Sequence, residues 1–229
     1  MHLLALHSNT YFMPNTLYVF DIDGTLTDSI PTYLKVITEV MQKEGLVNID
    51  TDYDNYLHHT DRYAIEYNWQ HNFNETPNED IHKSFDKKLG DALMQEPPVV
   101  EIAGAKKVLE TLQEKNIPFA FGTGAYPHAT AVKMKACNLP FPEEVLATSF
   151  TSISRAGFVK QAIKKANDFY NVSSFDKIVA VGDGVWDLKA AQELDIDFIG
   201  IGIKNKDKMI ALGCDKWIPT MKDFYQFID

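Results

Sequence analysis

The apolar positions change regime along the chain. Leu17-Tyr-Val-Phe20 is a short continuous apolar run rich in strand formers, and it ends in Asp21-Ile-Asp-Gly24, where a turn must begin. Ser29 and Pro31 then signal a helix start; Leu34, Ile37, Val40 and Met41 follow at helical spacing, and Gly45 stops the helix. Residues 48–98 hold Asn, Asp, His and aromatics with weak helical stripes and no clear β run, and the segment ends at Pro97-Pro98. The pattern then becomes regular. Ala105, Val108, Leu109 and Leu112 form one helix face, and Ile117 to Phe121 is an apolar strand with Pro118 near its start, where proline is tolerated. A helix fits 127–137 and a short strand 145–147, and Phe158, Ala162, Ala166 and Phe169 stripe a further helix. Strand 178–181, helix 186–194, strand 196–201, helix 206–212, a short strand near Trp217 and a terminal helix complete the chain.

Strands that alternate with helices predict an α/β fold: a Rossmann-like parallel sheet with helices on both faces. The irregular stretch predicts a small helical domain, residues 30–98, inserted after the first strand into a core made of 14–29 and 99–229. The length of 229 residues suits one core with a sizeable insertion. An apolar fraction of 45% and a charged fraction of 24% exclude global disorder, collagen-like and coiled-coil architectures.

Charge narrows the partners. The net charge is −10. Residues 31–98 carry 6 Lys/Arg against 13 Asp/Glu, so most of the negative charge lies on the insertion. Phosphate backbones are repelled by such a surface, and no nucleic-acid partner is expected. Lys160, Lys164 and Lys165 read as a solvated helix face. Cys137 and Cys214 match no metal or redox spacing and suit a reducing cytosol, so a cytoplasmic location is expected. No apolar run approaches the ~20 residues of a membrane span. The start, Met1 to His7, is briefly apolar without a basic flank, and Met13 offers an alternative start that would leave residues 1–12 outside the native chain.

In open α/β sheets ligands bind beyond the carboxyl ends of the strands. After the first strand stand Asp21 and Asp23, after the second Thr123 and Gly124, and after the run 178–181 Asp183 and Asp187; Arg155 opens the helix before that run. Carboxylates, a hydroxyl and a cation on neighbouring strand ends suit Mg²⁺ and a phosphoryl group, because Mg²⁺ takes hard oxygen ligands. A carboxylate can also act as a nucleophile, while a second handles protons for the leaving group and for water. Asp21 and Asp23 are two apart, so an extended backbone would aim both the same way.

These residues carry a resemblance. Asp21-Ile-Asp-Gly-Thr-Leu-Thr-Asp28 resembles the first motif of the haloacid dehalogenase (HAD) superfamily. Phe119-Ala-Phe-Gly-Thr123-Gly124 resembles the second, and Val179-Ala-Val-Gly-Asp183-Gly-Val-Trp-Asp187 the fourth. The order is right and the match covers about 17 to 201. The resemblance implies Asp21 as nucleophile and Mg²⁺ ligand, and Asp23 as general acid/base with its backbone carbonyl on the metal. Thr123 and the Gly124 N–H would hold the phosphoryl oxygens, Asp183 would bind the metal, and Asp187 would support it. The second Asp is absent from the dehalogenase branch and kept by phosphatases and phosphomutases. The third motif departs from the usual Lys before Pro: the text is Ser154-Arg155-Ala-Gly-Phe-Val-Lys160, which favours Arg155 as the phosphate clamp over Lys160. The insertion looks like the family's C1-type helical cap, as in the phosphoglycolate phosphatase and phosphomutase-like branch.

The resemblance therefore implies a Mg²⁺-dependent phosphatase acting on a small phosphorylated metabolite through an aspartyl-phosphate. The alternative within the family is a phosphomutase; a phosphonatase is disfavoured, because the cap shows no clear Schiff-base lysine. From another class, receiver signalling domains also combine a phosphoaspartate, acidic ligands, Thr/Ser and Lys, but the second Asp and the insertion argue against one. Strand-end carboxylates often just cap helices; convergence with Thr123 and a cation argues otherwise for Asp21, Asp23 and Asp183. Gly122-Thr-Gly124 lacks the third glycine of a dinucleotide loop, and His58, His59, His71 and His82 match no zinc spacing. His59, Asp61 and Arg62, in the most polar cluster of the insertion, are the candidates for reading the substrate; Arg62 and Arg155 are the only arginines in the chain.

Overall fold

The computed structural model describes residues 16–228, so the question of the start at Met13 lies outside the described residues. Strand β1 (Thr16–Phe20) leads into a tight turn in which the N–H groups of Thr25, Leu26 and Thr27 all point to the Ile22 carbonyl. A two-residue strand β2 (Thr27–Asp28) follows, then α1 (Ile30–Lys43), a 3₁₀ turn (Tyr53–Asn55), α2 (Asp61–Phe73) and α3 (Glu79–Leu93). Strand β3 (Val100–Glu101) pairs antiparallel with β2, and this two-stranded ribbon was not expected from the sequence. Then come α4 (Ala105–Glu114), β4 (Phe119–Thr123), α5 (Pro127–Ala136), β5 (Leu146–Thr148), α6 (Arg155–Tyr170) and β6 (Lys177–Gly182). The chain continues through α7 (Val185–Glu193), β7 (Asp197–Ile201), α8 (Lys206–Ala211) and β8 (Trp217–Ile218).

Six strands form one parallel sheet in the order β5-β4-β1-β6-β7-β8. The register pairs Phe20 with both Phe121 and Val181. Three adjacent strands therefore end on one rim, and Asp21, Thr123 and Asp183 come within a residue or two of the same level. Leu17, Phe20, Phe121 and Phe158 are fully buried in the main apolar cluster. Each such side chain contributes ~1.5–3 kcal/mol relative to an exposed one. A second cluster joins Val36, Ile37, Ile65, Phe85 and Leu89 of the insertion to Ala125, Tyr126 and Ala129 at the start of α5. The insertion thus shares its core with a helix of the sheet domain.

Several expected boundaries shift for identifiable reasons. The strand expected from Ile117 begins at Phe119. Asn116 takes a left-handed φ of 54°, the Ile117 N–H turns back to the Leu112 carbonyl to close α4, and Pro118 has no N–H to give. Val145 closes a 3₁₀ turn, so β5 starts one residue later than expected. The expected terminal helix is 3₁₀ in character over Met221–Phe227. Ser29 precedes α1 but makes no cap bond through its side chain; its hydroxyl is used elsewhere. No helix among the described residues is long and apolar enough to cross a membrane.

Candidate active site

Asp21 follows β1 directly, and its N–H still bonds the Val181 carbonyl at 2.9 Å, so the sheet itself fixes the backbone. Its carboxylate is buried at the centre of a charged cluster. Arg155 Nη1 donates to Asp21 Oδ1 at 3.0 Å and to Asp187 Oδ1 at 2.6 Å. Ser154 caps α6 by accepting the Gly157 N–H, which sets Arg155 as the first helical residue, facing the rim. Asp187 lies in the first turn of α7, where Oδ2 accepts the Gly184 N–H at 3.0 Å. Asp183 packs on the turn after β1: a Cβ at Gly24, which holds φ +86°, would lie 2.6 Å from Asp183 Oδ2. Glycine is required there both for the left-handed backbone and for the close approach.

Burial and mutual repulsion raise the carboxyls of this cluster. Burial, then Asp187, pushes the Asp21 carboxyl well above the usual range, with Arg155 opposing. Burial and Asp187 push Asp183 up to about 7, and burial raises Asp187 against the pull of Arg155. Asp183 Oδ1 is buried with no hydrogen-bond partner among the described residues. Asp21, Asp183 and Asp187 each offer an oxygen, all within 4.8 Å of one another. Three hard carboxylates facing a single arginine, with one oxygen that has no partner among the described residues, could hold a metal ion.

Asp23 has partners of its own, and its charge is among those that raise the Asp21 carboxyl. Lys133 Nζ lies 2.7 Å from each Asp23 carboxylate oxygen, and the Ser29 hydroxyl donates to Oδ1. Lys133 is fully buried on α5 and sits 3.8 Å from the centroid of the Tyr33 ring. Tyr33 donates its hydroxyl to Asp61; burial raises its phenol well above the ordinary value and keeps the proton in place.

On the opposite side Thr123 is buried and its Oγ1 accepts the Ala125 N–H at 3.1 Å. The Gly124 carbonyl accepts from the Asp61 N–H at 2.8 Å and from Ser149 Oγ at 2.6 Å. A Cβ at Gly124 would come within 2.8 Å of the His59 carbonyl, so residues 59–61 close down on this loop. The three candidate readers of substrate have different surroundings. His59 stacks on Trp186 with centroids 4.3 Å apart, and its carbonyl accepts from Arg155 Nη2. Asp61 is buried between the Tyr33 hydroxyl and the Tyr126 N–H. Arg62 is held by Glu66, Glu79 and the Phe150 carbonyl. Lys160 is exposed on α6, away from the clustered residues.

The sequence profile described as haloacid dehalogenase-like hydrolase matches residues 16–195. The chain belongs to this hydrolase family. No curated protein sequence matches it. Among solved structures, CbbY from Rhodobacter sphaeroides in complex with phosphate superposes with a TM-score of 0.69 at 17% identity, covering 93% of this chain and 96% of that one. A hydrolase from Pseudomonas syringae gives 0.66 at 19%, covering 93% and 98%. A HAD family hydrolase from Deinococcus radiodurans with bound phosphate and sodium gives 0.58 at 16%, covering 93% and 94%. At these identities the likeness is one of fold.

Within this HAD-like hydrolase, Lys133, Ser29 and Trp186 escape a reading of the motifs. Lys133 had a usable signal. Ala129, Thr130, Lys133 and Met134 are spaced to share one helix face, and all four are buried, so the lysine interrupts an apolar face and needs an anion. Trp186 fills a position inside the fourth motif where side-chain type carried no expectation.

Proposed function

We propose that this HAD-like hydrolase is a Mg²⁺-dependent phosphatase that releases phosphate from a small monoester through an aspartyl-phosphate. The observation that carries the reading is the constellation at the rim: a buried Asp21 bonded to Arg155 and grouped with Asp183 and Asp187, with Asp23 two residues on. A phosphate on CbbY and on the Deinococcus relative agrees with phosphoryl chemistry on this fold. Asp21, the Asp23 carbonyl and Asp183, supported by Asp187, would hold the cation, whose charge offsets the repulsion between carboxylates and phosphate.

In the first step an Asp21 oxygen forms a bond to phosphorus. The P–O bond to the leaving group breaks, the electron pair goes to the leaving oxygen, and Asp23 gives that oxygen a proton. Arg155 now balances charge on the phosphoryl oxygens as it balanced Asp21, while Thr123 Oγ1 and the Gly124 N–H orient them. In the second step water attacks phosphorus, Asp23 takes its proton, and the Asp21–phosphorus bond breaks to free phosphate, leaving Asp21 as a carboxylate and Asp23 protonated again. Residues 59–61 pack on Gly124 and hold this phosphate-orienting loop in place.

The experiment is phosphate release from 4-nitrophenyl phosphate and a panel of phosphorylated metabolites with Mg²⁺. Activity should vanish on chelation and return with Mg²⁺. Asp21→Asn should lose all measurable turnover while keeping its melting curve. Turnover that survives exhaustive chelation, or a near-native Asp21→Asn enzyme, refutes the reading.

A further inference from the structure

The buried lysine on α5 has no assigned task. Lys133 has no exposed surface, and the Asp23 carboxylate takes both of its 2.7 Å contacts. An ion pair of this kind is a poor device for stability, because a well-packed apolar pair of similar volume does as well or better. Its geometry is a better guide. Asp23 is partly open to solvent, its side chain 19% exposed, and left alone its carboxylate would be free to turn towards water. Lys133 instead grips both oxygens while the Ser29 hydroxyl takes a second bond on Oδ1, which fixes the plane of the group. Among the described residues Oδ2 has only the lysine and so keeps more free acceptor capacity. The lysine is itself held: its head lies against the Tyr33 ring, and the Tyr33 hydroxyl is tied to Asp61.

Resting on the phosphatase reading above, we propose that Lys133 is a positioning residue, which aims Asp23 Oδ2 at the oxygen of the departing alcohol. Lys133 touches neither substrate nor phosphorus. It acts through Asp23 in the step where the P–O bond breaks, the electron pair moves to the leaving oxygen and the proton passes from Asp23 to it. A misaimed Asp23 harms that step only in proportion to the leaving group's need for a proton. Loss of fold or of metal, by contrast, harms every ester alike.

The test compares phenyl phosphate with 4-nitrophenyl phosphate, which share a ring and a phosphoryl group but differ in how readily the alcohol leaves unprotonated. In Lys133→Met, kcat for phenyl phosphate should fall at least about tenfold more than kcat for 4-nitrophenyl phosphate, with KM for both little changed. Asp23→Asn should show the same discrimination more strongly. Lys133→Gln keeps an N–H donor and should recover part of the loss on phenyl phosphate; it also carries the comparison if the methionine variant does not fold. Equal losses on the two esters, or no loss, in folded variants overturn the positioning role and leave the phosphatase reading intact. Wild-type protein that releases phosphate from neither ester, while releasing none from the metabolite panel, overturns the phosphatase reading and this role with it.

Discussion

Arg155 faces two carboxylates at once, and that sharing decides what its loss should do. Removing a buried cation leaves Asp21 and Asp187 repelling each other without compensation, which costs about 3–5 kcal/mol in comparable buried pairs. Arg155→Ala should therefore lower both turnover and the melting temperature, and added Mg²⁺ should restore part of the stability but not the turnover. Lys160→Ala, on an exposed helix face, should change stability by less than about 0.5 kcal/mol and leave turnover near native. Calorimetry and steady-state kinetics on the two variants check this, and the reverse ranking would transfer the clamp to Lys160. Motif spacing reached the residues that follow strands, because a strand end leaves a side chain nowhere to go but the rim. It could not reach Lys133, whose task depends on a carboxylate 110 residues away in sequence. Nor could it show that Arg62 is already committed to Glu66 and Glu79.

Among the elements, α2 lacks a clear apolar stripe and is tied down at its first turn. Thr60 caps it, the Asp61 N–H bonds the Gly124 carbonyl, and the Asp61 carboxylate takes the Tyr126 N–H, so its first turn is bolted to the loop after β4. Burial pushes the Asp61 carboxyl up to about 7, against the pull of Tyr33 and Lys133. The folded protein thus keeps that proton up to about pH 7, while the unfolded chain releases it near pH ~4. The folded state binds more protons in this window, so the contribution of Asp61 to stability falls as pH rises from about 4 through 7. The loss is on the order of a few kcal/mol. His82 works in the opposite direction, since burial holds its imidazole below the ordinary value. The informative quantity is therefore a difference. Between about pH 5 and pH 8 the melting temperature of metal-free wild type should decline relative to that of Asp61→Asn. Parallel curves would show that Asp61 does not carry the effect. Helix and strand order in the core was legible, because apolar periodicity survives wherever one face packs on a sheet. The ribbon of β2 and β3 was not: two-residue strands have no period, and only the pairing of Thr27 with Glu101 and Asp28 with Val100 defines them.

At the scale of the molecule, charge is divided unevenly, and the insertion that covers the site carries most of the excess of acid. Its one arginine is neutralised within the fold, so it brings no spare guanidinium to a substrate. Under the phosphatase reading, a compact monophosphate would meet Arg155 and the carboxylates that would hold the cation, while further phosphates would be repelled by the acidic insertion. We expect kcat/KM to be at least about tenfold higher for sugar or short-acid monophosphates than for nucleoside di- and triphosphates at fixed free Mg²⁺ and ionic strength, a difference of about 1.4 kcal/mol. A preference for the polyphosphates would refute the charge argument.

The position of β1 in the middle of the sheet has a further consequence, for the order of assembly during synthesis. The strand that delivers Asp21 leaves the ribosome before both of its partners: β4 follows about a hundred residues later, and β6 some sixty residues after that. Until both have emerged, β1 is an apolar segment with two open edges, exposed to any competing strand. The intervening helical insertion is complete well before β6, so it is free to collapse around Phe85 and Leu89 while the first strand waits. Closure of such distant pairings is slow relative to helix formation. The cluster of Asp21, Asp183, Asp187 and Arg155 therefore comes together at the end of folding, and no part of the nascent chain shorter than α7 holds it.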